Sequence, residues 1–123
     1  MQKATGLGGV FFRAKDPTML AAWYQEHLGI NPVPQGPSDM PWIQEAGPTV
    51  FAPFPADTDY FDADRRFMLN FRVNDLDAMI AQLEKAGIEV GRRETMEGIG
   101  EFARIHDPEG NPLELWQPAG QDA

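Results

Sequence analysis

Two stretches of the chain repeat one pattern, and this repeat constrains the fold more than any other feature. Residues 11–30 and 70–88 share a Phe-Arg pair, an aspartate (Asp16 and Asp75) and a closing Gly-Ile. Each stretch reads as a strand followed by a helix. The aspartate stands at the start of the helix, where its carboxylate can accept hydrogen bonds from the first backbone N–H groups. One such unit cannot bury its own helix stripe, so we predict two tandem units packed into one α+β domain.

Composition limits the partners of this domain. With 123 residues, the chain suffices for one ordinary core, and a net charge of −9 repels nucleic acid and anionic lipid. It has no cysteine, which excludes disulfides and thiolate chemistry. No apolar run is long enough to span a bilayer, and the first residues lack a signal-peptide pattern. We therefore expect a cytoplasmic protein whose partners are neither nucleic acid nor membrane.

The strands of the two units are predicted from alternation and from the turn residues between them. Prolines crowd the region from residue 31 to residue 55, where only short strands are expected. The Asp-rich stretch at about residues 57–66 reads as an exposed linker between module one, about 5–56, and module two, about 67–118. The predicted strands are Leu7–Ala14, Met40–Gln44, Thr49–Phe54, Met68–Val73, Ile88–Gly91 and Glu101–His106, with a final strand from Leu113 to Trp116.

The last strand contains a carboxylate between two leucines. Asp107–Asn111 has the Pro, Gly and Asn of a tight hairpin connection. In the strand that follows, Glu114 and Trp116 share the face opposite the leucines. Glu114 either decorates a solvent face or contributes to a site, and the strand alone does not decide between the two.

These residues, taken in their order and spacing, resemble the vicinal oxygen chelate superfamily, which includes glyoxalase I, extradiol dioxygenases and bleomycin-resistance proteins. The resemblance spans roughly residues 7–118 and rests on the capped helices and on the stretch from Asp107 to Leu115. It implies two βαβββ modules that form a curved mixed sheet around a cleft, with the helices outside. It also implies a homodimer, which is common in this superfamily.

Enzymes of the superfamily usually hold a divalent metal through the first and last strands of each module. By resemblance the matching positions are Gly9, Met68 and Glu114, and the stretch Thr49–Phe54 has no acid or histidine. One carboxylate cannot fix zinc or magnesium, so we predict no family-type metal site and no cofactor. The alternative is a metal-dependent lyase, isomerase or dioxygenase with a displaced ligand set.

The side chains expected in the cleft follow from alternation along the strands. Glu114 and His106 are the candidates for catalysis as a general base. The ligand-binding candidates are Phe11, Arg13, Met68, Asn70, Arg72, Arg104 and Trp116, with Trp42, Phe51 and Phe54 as walls or as core residues. Arg13 matches a position that helps hold a substrate anion in glyoxalase I-like proteins. Alternatively, Arg13 or Arg72 pairs with Glu114 when the cleft is empty.

An apolar cleft with a few convergent polar groups is typical of a small-molecule site. We therefore expect the protein to bind a small organic molecule, aromatic or anionic, without the usual metal. Whether it also catalyses a reaction is left open by the sequence, because no nucleophile with an adjacent base is visible. A third reading is a fold that serves only for dimerisation, without a ligand cavity.

Overall fold

A computed structural model describes residues 1–120 and confirms an α+β fold. The elements are α1 (Pro17–Leu28), β1 (Leu69–Arg72), α2 (Leu76–Lys85), β2 (Arg93–Met96), β3 (Gly100–His106) and β4 (Pro112–Pro118). The strands form one mixed sheet in the order β1-β4-β3-β2, with β1 parallel to β4 and the other pairs antiparallel. Within residues 1–120, no helix has the length and apolar character needed to cross a membrane.

Both helices begin and end where the sequence predicts. The Asp16 carboxylate accepts a hydrogen bond from the N–H of Met19 at 3.1 Å, and Asp75 does the same for Ala78 at 3.0 Å. Gly29 follows α1 with φ 72°, a left-handed conformation that a side chain would disfavour. These caps fix the ends of the two helices independently of their packing.

The core lies between the two helices and one face of the sheet. Leu113 and Leu115 of β4 are fully buried there, together with Ile105 of β3. Leu20 of α1 and Leu83 of α2 belong to the same cluster. The alternation of β4 therefore holds as predicted: its leucines face the helices, and its intervening residues face the opposite side of the sheet.

Module one departs from the predicted pattern. Among residues 1–120, the predicted strands Leu7–Ala14, Met40–Gln44 and Thr49–Phe54 form no ladder, and only module two forms a sheet. These strand predictions are wrong for the chain by itself, because strands need backbone partners and no neighbouring strand of this chain supplies them. The predicted strand Ile88–Gly91 is also wrong, because the edge strand β2 starts only at Arg93.

The turn between β3 and β4 anchors α1 to the sheet. The buried carboxylate of Asp107 accepts hydrogen bonds from the Tyr24 hydroxyl at 2.7 Å and from the side-chain amide of Asn111 at 2.8 Å. Glu109 accepts from the backbone N–H groups of Lys15 at 2.7 Å and Asp16 at 2.9 Å, just before α1 begins. The Asp-Pro-Glu-Gly-Asn stretch thus connects the first helix to the last hairpin.

We predict that Tyr24→Phe destabilises the protein by about 1.5–3 kcal/mol, the usual contribution of a hydrogen bond to a charged group. The free energy of unfolding, measured by urea denaturation at pH 7, checks this value. Thr18→Val, which removes an exposed hydroxyl from the same helix, should change the stability by less than about 0.5 kcal/mol. Equal losses in the two variants would contradict the anchoring role of the bond to Asp107.

The same variant has an expected pH dependence. Burial, and then the hydrogen bond to Asp107 and its charge, raise the pKa of Tyr24 well above its usual 10.0. The stabilisation linked to this group is therefore complete below about pH 10 and is lost as the pH rises toward the folded-state value. The stability gap between wild type and Tyr24→Phe should narrow above about pH 10, as urea titrations in alkaline buffer would show.

Candidate functional site

The polar face of the sheet lies opposite the helices and is centred on Glu114. In the register of the strands, Glu114 stands between Asn70 on β1 and Arg104 on β3. Two residues further along β4, Trp116 stands beside Phe102 of β3, and their rings stack with centroids 6.0 Å apart. Of the predicted site residues, the structure thus brings together Asn70, Arg104, Glu114 and Trp116.

Glu114 is only 6% exposed, and both of its oxygens accept hydrogen bonds. The side-chain amide of Asn70 donates to Oε1 at 2.8 Å, and the hydroxyl of Tyr60 donates to Oε2. A buried carboxylate without such partners would cost several kcal/mol. Neither Arg13 nor Arg72 pairs with Glu114 in residues 1–120, so the alternative of an ion pair in the empty cleft is wrong.

Tyr60 belongs to a segment that crosses the polar face, and we call residues 57–66 the strap. The Tyr60 carbonyl accepts from Nη2 of Arg104 at 2.8 Å, and the Tyr60 ring centroid lies 5.3 Å from the Arg104 guanidinium carbon. The ring of Phe54 lies 5.5 Å from that of Tyr60. Burial and the hydrogen bond to Glu114 raise the pKa of Tyr60 to about 12, so its hydroxyl stays protonated at neutral pH and donates this hydrogen bond.

The strap has two further attachments. Asp62 pairs with Nε2 of His106 at 3.0 Å. Arg65 donates to the side-chain oxygen of Asn111 at 2.8 Å and to the carbonyl of Glu109 at 3.1 Å. The structure therefore differs from the exposed linker predicted for this segment, since Tyr60 and Asp62 are half-buried against the sheet.

Sequence reasoning missed Tyr60. Four of the ten strap residues are aspartates, and the segment has no alternation that would place a side chain on a face. The available signal was indirect: if Glu114 contributes to a site it needs a hydrogen-bond donor, and Tyr60-Phe61 is an aromatic pair in a stretch rich in aspartate. That signal identifies a candidate but not its contact with Glu114.

A cavity of about 480 Å³ adjoins this site. It lies between the first edge of the sheet, α2 and residues 42–50, and its lining includes Trp42, Asn70, Arg72 and Trp116 of the predicted set. Nη2 of Arg72 donates to the carbonyl of Glu45 at 3.0 Å. The rings of Trp42 and Phe71 pack in a T-shaped arrangement, with centroids 6.2 Å apart. The cavity thus combines aromatic walls with one guanidinium group, and the acidic residues Glu45 and Asp75 also line it.

The other predicted ligand-binding residues lie apart from Glu114. Phe11, which is 94% exposed, and Arg13 line a second cavity of about 380 Å³ near Tyr24. Phe51 is 79% exposed, and neither it nor Met68 lines either cavity. Phe11, Arg13 and Phe51 lie away from the polar face, because the segments of module one that carry them do not join the sheet.

The residues at the positions that the resemblance assigns to a metal do not fit a divalent ion. Gly9 and Met68 provide no hard donor, both oxygens of Glu114 already accept hydrogen bonds, and the cation of Arg104 lies on the neighbouring strand. No group of three or more His, Cys, Asp or Glu side chains in the described part of the chain could hold a metal ion.

Comparison with known proteins agrees with this fold. The sequence model of a family described as glyoxalase-like domain matches residues 9–116. A lactoylglutathione lyase from Agrobacterium tumefaciens is 19% identical, with 94% of this chain and 95% of that chain covered and a TM-score of 0.60. A glyoxylase/bleomycin resistance protein/dioxygenase domain from Frankia sp. EAN1pec is 19% identical, with 94% and 99% covered and a TM-score of 0.62.

TnmS3, an antibiotic binding protein from Streptomyces sp. CB03234, is 25% identical over 85% of this chain and 88% of that chain, with a TM-score of 0.53. Another matched structure is 32% identical, with a TM-score of 0.41. The alignment covers 52% of this chain, and this chain spans about half the length of that relative. No curated protein sequence matches significantly. Because the family match covers most of its length, the chain belongs to the glyoxalase-like domain family of the vicinal oxygen chelate superfamily.

Proposed function

We propose that this protein binds a small organic molecule, aromatic or anionic, in the cavity beside Glu114, without the divalent metal usual in its superfamily. The observation that carries the proposal is the cavity of about 480 Å³ lined by Trp42, Trp116, Asn70 and Arg72. Its volume falls in the range of about 300–1,000 Å³ that is common for ligand sites. Aromatic walls with a few polar groups suit an amphipathic ligand.

Arg72 is the group that would select an anion. Within residues 1–120 its guanidinium group forms no ion pair, and the only hydrogen bond of that group there is to the Glu45 carbonyl. A guanidinium group offers paired donors that match a carboxylate. Glu45 and Asp75 also line the cavity, so among the described lining residues Arg72 is the one whose charge would attract a negatively charged ligand.

Binding rather than catalysis is the activity that we propose. The relative TnmS3 is an antibiotic binding protein, which supports a binding role for a chain with this fold. Glu114 and His106 are the groups available as a general base, and both are engaged by the strap. A general base needs an accessible lone pair, so catalysis by Glu114 would require Tyr60 to move away first.

We also propose a homodimer in which a second copy covers the extended segments of module one and leaves α1 uncovered. Large apolar side chains are exposed on its extended segments, including Phe11 at 94% and Phe51 at 79%. Monomers rarely expose so much apolar surface, and the unpaired backbone of these segments is suited to strand pairing. A symmetric partner could supply both an apolar cover and the missing ladder.

We expect Arg72→Gln to weaken the binding of aromatic carboxylates by about ten-fold or more, as the loss of a charge-assisted hydrogen bond implies. A thermal-shift screen of small aromatic acids, followed by calorimetric titration of any hit, measures this change. Arg66→Gln, which removes the same charge at a residue that does not line this cavity, is the matched control. Equal losses in both variants would point to a general charge effect.

We expect purified protein to contain far less than one equivalent of zinc, manganese, iron or nickel per chain, as measured by mass spectrometry. Glu114→Ala, processed in parallel, should give the same background. About one equivalent that disappears in Glu114→Ala would instead support a metal-dependent lyase, isomerase or dioxygenase.

We expect light scattering at micromolar concentration to give twice the mass of the chain. Phe11→Asp and Phe51→Asp should shift the mass toward that of the monomer, because a charge in an apolar interface is strongly unfavourable. Met19→Asp, on the exposed side of α1, should leave the dimer intact. A wild-type protein that remains a monomer would contradict the proposed partner.

A further inference from the structure

We propose that Tyr60 occupies the position of the ligand, and that the ligand is a hydroxyphenyl compound with a carbonyl or carboxylate group at its other end. Such a molecule would displace the strap and take over its contacts with Glu114 and Arg104. The inference goes beyond the cavity of the proposed function, because Tyr60, Glu114 and Arg104 do not line that cavity. It shares with the proposed function only that the ligand is a small organic molecule.

The groups around the Tyr60 side chain form a recognition set for a phenol. The Glu114 carboxylate accepts from its hydroxyl, and the guanidinium of Arg104 lies 5.3 Å from its ring centroid. The guanidinium of Arg92 lies 6.0 Å from the same centroid, and Phe54 packs at 5.5 Å. Cations near the ring and an acceptor at the hydroxyl contact only the phenol group. They would therefore bind the phenol of a free ligand as they bind that of Tyr60.

The opposite end of Tyr60 is recognised as well. Its backbone carbonyl accepts from Nη2 of Arg104 at 2.8 Å. The neighbouring Nε of Arg104 is buried and has no hydrogen-bond partner within residues 1–120. A lone donor of this kind is costly. A ligand carboxylate can accept from both nitrogens of one guanidinium group, whereas the single carbonyl of Tyr60 accepts from only one.

The strap is attached in a way that allows displacement. It forms no ladder with the sheet in residues 1–120, and its hydrogen bonds between two backbone groups are local there, from Thr58 to Pro55 and from Arg65 to Asp62. Its tertiary polar attachments are made by Tyr60, Asp62 and Arg65. Segments with few backbone bonds to the rest of the fold open at low cost. Glu114, Arg104 and Asn70 belong to the sheet and would stay in place.

The skeleton of the tyrosine residue defines a probe. In Tyr60 two carbons separate the ring from the carbonyl carbon, and 3-(4-hydroxyphenyl)propanoate has the same spacing. Its analogue 3-phenylpropanoate lacks only the hydroxyl that would face Glu114. The difference between the two affinities therefore reports the contact with Glu114 and not the burial of the ring.

We expect Tyr60→Ala, which removes the resident ring, to bind 3-(4-hydroxyphenyl)propanoate at least ten-fold more tightly than wild type, measured by calorimetric titration. The same variant should bind 3-phenylpropanoate at least ten-fold more weakly than the hydroxylated probe. Adding Glu114→Gln should reduce this preference for the hydroxyl by several-fold. Tyr60→Phe, which keeps the ring, should give an affinity between those of wild type and Tyr60→Ala, and it provides a test should Tyr60→Ala not fold.

Hydrogen exchange tests the displacement directly. In wild type, saturating 3-(4-hydroxyphenyl)propanoate should speed amide exchange in residues 57–66, whereas a ligand elsewhere would leave it unchanged or slow it. The inference is overturned if the folded Tyr60 variants show no preference for the hydroxylated probe, or if they bind it no better than wild type. Binding of aromatic acids that depends on Arg72 but not on Tyr60 would overturn this inference while leaving the proposed function standing.

Discussion

A carboxylate buried in the middle of the sheet requires hydrogen-bond donors, and the arrangement of the polar face follows from that requirement. Glu114 lies on β4, which has a neighbouring strand on each side. Its oxygens accept from Asn70 on the parallel neighbour and from Tyr60 on the strap. Without them, a desolvated charge would cost several kcal/mol. The strap is therefore part of the folded sheet's polar face, although it contributes no strand to it.

A second buried carboxylate, Asp107, organises the other side of the sheet. It accepts from Tyr24 and thereby connects α1 to the turn that precedes β4. The two carboxylates differ in their surroundings. Asp107 is satisfied mainly by its own turn and one helix, as expected of a structural group. The donors to Glu114 are side chains from distant parts of the chain, Asn70 on β1 and Tyr60 on the strap. Because the strap has no regular structure, a ligand could take over the hydrogen bond from Tyr60.

Much of the fold could be predicted from local sequence because its causes are local. Asp16, Asp75 and Gly29 specify helix ends through their own side chains or backbone, and the alternation around Glu114 specifies its face. Backbone pairing in module one could not be predicted in this way, because β-propensity indicates an extended chain and says nothing of where the partner strand is. The contact of Tyr60 with Glu114 spans 54 residues and depends on the path of the strap. Arg13 was expected near Glu114 for the same reason: its position depends on a sheet that module one does not form in this chain.

The bonds between α1 and the last hairpin also bear on the order in which the chain can fold. Tyr24 and Asp107 are 83 positions apart, and Lys15 and Glu109 are 94 apart. During synthesis, α1 leaves the ribosome long before the turn that holds it has been made. The apolar side of α1 therefore stays exposed to other hydrophobic surfaces until the turn at Asp107 has been synthesised. Module two, in contrast, can form its sheet from residues that are closer in sequence. We therefore expect α1 to be among the last elements of this domain to dock.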